Sequence, residues 1–116
     1  MNGYGLRIRR YEGGDREPVW RLHDAAMREA GIHLGEGSWY DDLHEIQNVY
    51  LGDSGEFLVG IVDDEVVAMG ALKRTAAGRA EIKYMRVAPR LQRCGFGREI
   101  LTALEGRATE LGYETL

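Results

Sequence analysis

The sequence predicts a single mixed α/β (α+β) domain whose elements run β, α, α, β, β, β, α and into the start of a further β. Three observations carry that prediction. Short apolar runs of strand length are bounded by polar turns, and three longer stretches repeat apolar residues at helical spacing. The last of those stretches is also placed as a crossover between two strands, a connection that normally joins parallel neighbours and is right-handed.

Each element has its own signature. Leu6 to Tyr11 alternates apolar and basic side chains, as a short strand does, and Glu12, Gly13 and Gly14 break it. Asp15 is placed to cap a first helix with Glu17 and Pro18 in its first turn, and Val19, Leu22, Ala26 and Ala30 recur at helical spacing until Gly31. Residues 32–37 read as loop. Ser38 is placed to cap a second helix with Leu43, Ile46, Val49 and Tyr50 as its apolar stripe before Gly52. The runs Phe57 to Val62 and Val66 to Leu72, joined by Asp63, Asp64 and Glu65, read as an antiparallel hairpin. A fourth strand follows from Ala80 to Val87. Regular alternation puts Ala80, Ile82, Tyr84 and Arg86 on one face and Glu81, Lys83, Met85 and Val87 on the other. Beyond a loop carrying Pro89 and Gly95, the positions Ile100, Leu101, Leu104, Ala108 and Leu111 form an amphipathic helix that Gly112 closes. No repeat or linker divides the chain, so residues 1–116 read as one domain, incomplete because the final strand has only begun at Tyr113.

Composition narrows the class. At 116 residues and 44% hydrophobic content the chain can bury a real core. One cysteine, Cys94, excludes an intramolecular disulfide framework, no apolar run reaches the length of a membrane span, and no signal-peptide pattern opens the chain, so a cytoplasmic protein with no membrane association is expected. The net charge of −4 hides an uneven distribution. Lys83, Arg86, Arg90, Arg93 and Arg98 give the segment 83–98 a charge of +5 without an acid, leaving the remainder at −9. One concentrated basic stretch on an acidic protein suggests a local anionic ligand and argues against nucleic acid, which asks for a broad basic face. The acidic remainder favours a cationic acceptor such as a polyamine, lysine or peptide amine.

The segment Arg90-Leu91-Gln92-Arg93-Cys94-Gly95-Phe96-Gly97-Arg98 lies between an apolar strand and an amphipathic helix. Glycines there let a ligand approach the backbone, and the unpaired N–H groups of the helix start face the loop with the positive end of the dipole, a phosphate cradle. Arg90, Arg93 and Arg98 can add charge-assisted contacts. On its own a Gly-x-Gly more often only shapes the start of a helix. The phosphate loop of nucleoside triphosphatases is excluded because no Gly-Lys pair exists, and the dinucleotide fingerprint fails at Ile100, three residues after Gly97.

Gln92-Arg93-Cys94-Gly95-Phe96-Gly97 resembles the Arg/Gln-x-x-Gly-x-Gly/Ala signature of the GNAT acetyltransferase superfamily, set as in that family between the fourth strand and the third helix. Ala80 to Pro89 is similar to the strand and V-x-P turn that precede it. The similarity is strong over about residues 80–112 and fainter over the hairpin. The resemblance implies a mostly antiparallel mixed sheet with helices on both faces. It implies that Gln92, Arg93, Cys94, Gly95, Phe96 and Gly97 hold the pyrophosphate of acetyl-CoA, with Arg98 opening the helix. Met85, Arg86 and Val87 would pair like a strand with the pantetheine arm, and acetyl would pass directly to a primary amine of a small molecule or peptide. Glu81 is the candidate general base, since some members carry a glutamate at the matching strand position; the alternative is a solvated or salt-bridged residue. Tyr84, on the opposite pleat, is expected in the core or substrate wall.

Cys94 reads as a bystander thiol, because no histidine is near it in sequence. His23, expected at a helix surface, His33 and His44 are too widely spaced for a metal site, so no metal is expected. His33, Trp39 and Tyr40 fall in the region that shapes the acceptor pocket in the family. The later family elements, including the tyrosine that commonly serves as general acid, are not in this sequence, and Tyr113 is not assigned that role. A second reading follows: a non-catalytic acyl-CoA-binding or regulatory module, or an inactive part of an acetyltransferase. The open edge of the fourth strand is in turn expected to pair with a partner, such as a second copy by strand exchange.

Overall fold

A computed structural model describes residues 5–31 and 41–116. Four strands, β1 (Arg7–Arg10), β2 (Glu56–Val62), β3 (Glu65–Ala76) and β4 (Arg79–Val87), make one sheet in the order β1-β2-β3-β4, every neighbouring pair antiparallel. Helix α1 (Arg16–Glu29) covers one face and helix α2 (Phe96–Glu110) the other. The mixed α+β architecture expected from the sequence is the one observed.

Every residue of β2 is buried, which explains its continuous apolar run. Phe57, Val59 and Ile61 join the cluster under α1 with Val19, Leu22, Tyr50, Met69 and Ala71, while Leu58 and Val62 join Leu72, Ile100, Leu104 and Ala108 under α2. Helix α2 rests almost on the sheet backbone: a Cβ at Gly70 would stand 2.6 Å from both Ile100 Cγ2 and Met85 Sδ. The β2–β3 turn is Asp63-Asp64, both at positive φ (50° and 64°), the two-residue turn whose twist matches the strands it joins. Helix α2 ends as predicted, with Gly112 at φ 85° and the Tyr113 N–H donating to the Ala108 carbonyl at 3.0 Å. Beyond it, Thr115 bridges Arg79 in parallel and accepts from the Ala80 N–H at 3.0 Å, so the crossover does return to lie parallel to β4.

The structure departs from the sequence reading in four places. The second helix is not an α-helix over its described part, but a 3-10 turn at Asp41–His44 and a π turn at Gln47–Leu51; Ser38 lies outside the described residues. Leu43, Ile46 and Tyr50 are buried as the stripe requires, but packing decides the backbone of so short a segment. Asp15 precedes α1 without capping it. Its carboxylate accepts from both Arg9 nitrogens at 2.7 and 2.9 Å and from the Glu12 N–H at 2.8 Å. His23 is not at a surface but fully buried, its ring 5.7 Å from that of Tyr84.

The fourth departure is in β4. Met69 faces Arg86 and Ala71 faces Lys83, so two steps on β3 span three on β4, and Tyr84 at φ 57° is the extra residue of a bulge. Alternation breaks there. Tyr84 therefore lies on the α1 face, the same side as Lys83 and Arg86, while Met85 and Val87 turn to α2.

Two ionic contacts tie the layers together. The Glu56 carboxylate, 3% exposed, accepts from Arg10 Nε of β1 and Arg107 Nε of α2, each at 2.8 Å, and from the Phe57 N–H at 3.0 Å. Glu56→Ala would leave two guanidiniums without their shared acceptor. The loss expected is about 2–3 kcal/mol, read as a lower midpoint in urea unfolding, with Glu56→Gln falling between. The Arg9 guanidinium bonded to Asp15, helped by the Glu12 N–H, holds the Asp15 carboxyl below its ordinary range against the opposing effect of burial. A depressed folded value stabilises above the unfolded pKa and is lost as pH falls through the folded one. Thermal midpoints should therefore drop below about pH 4, and Asp15→Asn should be less stable at pH 7 with a shallower acid decline.

Candidate functional site

The segment after β4 turns twice through left-handed backbone. A 3-10 turn at Pro89–Leu91 buries Leu91, then Arg93 takes φ 68° and Gly95 φ 84°, and α2 begins at Phe96. The left-handed region is costly for most residues and free for glycine, so Gly95 is required by its backbone. Its own surroundings do not require it, since a Cβ there would meet nothing within 4 Å. That open space lies over the start of a helix whose Glu99 N–H bonds back to the Gly95 carbonyl at 3.1 Å, so the N–H groups of the turn ahead of it face the loop.

The predicted loop residues divide by burial. Phe96, 1% exposed, and the half-buried Cys94 pack into the cluster under α2 and anchor the loop from below. Gln92, Arg93, Gly95 and Arg98 form the exposed rim, and Gly97 sits between, where a Cβ would stand 3.7 Å from Val87 Cγ2. Arg93 and Arg98 have no ion pair with any acid among the described residues. Arg90 is engaged elsewhere, donating to Glu65 at 2.6 Å.

Strand β4 is the sheet's last full strand. Its edge away from β3 carries only the bridge at Arg79, so from Glu81 to Val87 it has no strand partner among the described residues. Met85, Arg86 and Val87 are half-buried along that edge, directly before the loop. Glu81 is exposed and sits opposite Lys73 in the register, on the α1 face. The bulge thus places Glu81, Lys83, Tyr84 and Arg86 on one side of the strand, where the sequence divides them. Lys83 Nζ stands 5.5 Å and Arg86 Cζ 5.8 Å from the centre of the Tyr84 ring. Beyond Tyr84 lie the rings of His23 and Tyr50, and Trp20 stacks against His44 at 4.7 Å. The inward turn of Tyr84 carries no sequence signal, since no glycine marks the bulge. His33, Trp39 and Tyr40 lie outside the described residues.

On the same face a cleft of about 880 Å³ opens between α1 and the end of the sheet nearest the loop. Its walls include Arg7, Arg9, Arg21 and Arg90 over a floor of Leu22, Ile61, Val66 and Ala88. No group of three or more metal-ligating side chains occurs among the described residues, and none of the described helices is long and apolar enough to cross a membrane. Tyr113, at the foot of the final strand, donates its hydroxyl to the Ser54 carbonyl at 2.6 Å, a structural tie across the molecule.

Comparison with known proteins follows the same outline. Among curated proteins none matches the sequence significantly. Solved structures with the same fold include an acetyltransferase of the GNAT family from Staphylococcus aureus, at TM-score 0.87 and 20% identity over 94% of this chain and 70% of that one. An N-acetyltransferase from Thermoplasma acidophilum in complex with coenzyme A aligns at TM-score 0.78 and 22% identity, over 94% of this chain and 75% of that one. A GNAT family acetyltransferase from Brucella melitensis in complex with acetyl-CoA aligns at 0.78 and 16% identity, over 95% and 72%. The sequence profile of the acetyltransferase (GNAT) family matches residues 16–116, from the start of α1 through the loop and α2, and the chain belongs to that family.

Proposed function

We propose that this chain binds acetyl-CoA at the junction of β4 and α2 and transfers its acetyl group to a primary amine. The observation that carries this reading is the loop itself, where two left-handed residues lead into a helix start with open space above Gly95. In this reading the backbone N–H groups from Gln92 to Gly97 receive the pyrophosphate, and Arg93 and Arg98 supply charge. The anchors Cys94 and Phe96 contribute only their backbone. Met85, Arg86 and Val87 offer the unpartnered β4 edge to the amide groups of the pantetheine arm.

The reaction needs a neutral amine. Its nitrogen lone pair attacks the thioester carbonyl, the C–S bond breaks, coenzyme A leaves as thiolate, and the amine's proton must go to a base. Glu81, exposed on the face to which the bulge turns Tyr84, fills that role through an intervening water. The developing oxyanion needs a hydrogen-bond donor, such as a backbone N–H. The acceptor is an amine-bearing small molecule or peptide.

Two measurements test the assignment. Gly95→Asp adds strain at φ 84° and a negative charge in the cradle, and acetyl-CoA affinity by calorimetry should fall by more than about tenfold; Gly97→Ala, whose Cβ would make an ordinary contact at 3.7 Å, should bind as the parent does. Glu81→Gln should lower thiol release by about 100-fold while acetyl-CoA affinity holds; unchanged turnover would remove Glu81 from the mechanism. Tight binding by the parent without thiol release over a range of primary amines would instead identify an acyl-CoA-binding module.

A further inference from the structure

Arg86 is a charged residue of β4 whose side-chain chemistry the reaction above leaves unused. Its backbone lies on the edge assigned to the pantetheine arm, but its side chain turns to the α1 face, beside the Tyr84 ring and opposite Met69 in the register. There Nη1 donates to the Met85 carbonyl at 3.1 Å, and Nε is buried with no hydrogen-bond partner among the described residues. No acid pairs with it among the described residues. A guanidinium stays charged at any working pH, and its Nε and outer Nη form a planar fork that fits one carboxylate with two parallel hydrogen bonds. A buried donor of this kind calls for an acceptor that the described side chains do not supply, and an incoming anion is one that fits.

The surroundings point the same way. Lys83 also stands by the Tyr84 ring, and Lys73 faces Glu81, so among the described residues cations outnumber acids along this stretch of β3 and β4 although the chain is net acidic. In the adjoining cleft Arg9 and Arg90 are paired with Asp15 and Glu65, while Arg7 and Arg21 have no acidic partner among the described residues. Local charge outweighs the distant sum at such separations, because surface charges more than a Debye length apart are screened. Asp64 also lines the cleft, and the described cations still outnumber the acids there, which disfavours a polyamine.

Resting on the transferase reading above, we propose that the acceptor is an amine that also bears a carboxylate, of the amino-acid type, and that Arg86 grips that carboxylate while the amine lies at the bulge. Arg86 is half-buried as a residue, so a side-chain rotation that trades the Met85 carbonyl for an incoming carboxylate gives Nε its acceptor. Arg86 acts here as a specificity-determining residue.

The test is thiol release from acetyl-CoA with glycine, alanine, phenylalanine and glutamate, each against its α-amide, and with spermidine and butylamine. At least one free amino acid should exceed its amide by tenfold or more in kcat/KM, and spermidine should be poor. Arg86→Gln should bring that ratio near one, and Arg86→Lys should restore part of it; both variants are checked for fold by circular dichroism. Amides or spermidine used as well as free amino acids, or a ratio unchanged in Arg86→Gln, would overturn the proposal. If no amine releases thiol, the transferase reading fails, and calorimetry with the four N-acetyl amino acids and their amides, in the presence of coenzyme A, decides the carboxylate site separately. A preference for the free acids that Arg86→Gln abolishes upholds the site. Equal binding, or none, ends it.

Discussion

One extra residue in β4 organises the working face of this protein. With regular pleating, Tyr84 would share a side with Ile82 and point into the layer beneath α2, where Ile100 and Leu104 already press against the sheet close to Gly70. That layer is closely packed, with Ile100, Leu104 and Met85 all within 3 Å of where a Cβ on Gly70 would stand. The bulge sends Tyr84 to the opposite face, into an aromatic group with His23, Tyr50 and Phe57, and returns Met85 and Val87 to the α2 side. The strand then delivers its end, half-buried, to the loop that turns into α2. An irregularity of this kind increases local twist and disrupts the ladder, which suits the last full strand of the sheet.

The remainder of the architecture keeps that strand in place. Helix α2 can approach the sheet so closely because Gly60 and Gly70 lie beneath it. Its far end is held by Arg107, whose carboxylate partner Glu56 also takes Arg10 from the first strand. One buried acid thus joins the first strand, the second strand and the last helix, three elements far apart in sequence. The start of the same helix is the anion-facing end, so packing that fixes its axis also fixes where its N–H groups point. Anchoring of the loop by Leu91, Cys94 and Phe96 serves the same purpose from below, leaving the exposed rim to polar and cationic groups.

Charge shows the same division between sum and place. A chain of net −4 presents a cationic rim at Arg93 and Arg98 and a second cationic region around Tyr84, on the other side of the sheet. Several acids are engaged in structural pairs: Asp15 with Arg9, Glu65 with Arg90, Glu56 with Arg10 and Arg107.

Much of this was legible in the residues alone. Period-two and helical spacing, the Asp63-Asp64 turn, the glycines at 95, 97 and 112 and the run from Gln92 to Arg98 are local signals, because each reflects what a few consecutive residues can adopt; they determined the order of elements, the crossover and the loop. What the tertiary structure decided depends on partners distant in sequence. The bulge at Tyr84 follows from crowding under α2, the burial of His23 from the aromatic group it joins, the distorted backbone around Leu43 and Tyr50 from packing that overrides a short helix, and the engagement of Arg90 from an acid 25 positions away. Local spacing carries no record of such encounters. The sequence therefore determined where the loop between β4 and α2 lies, and only the folded chain decided which side chains of β4 share the α1 face.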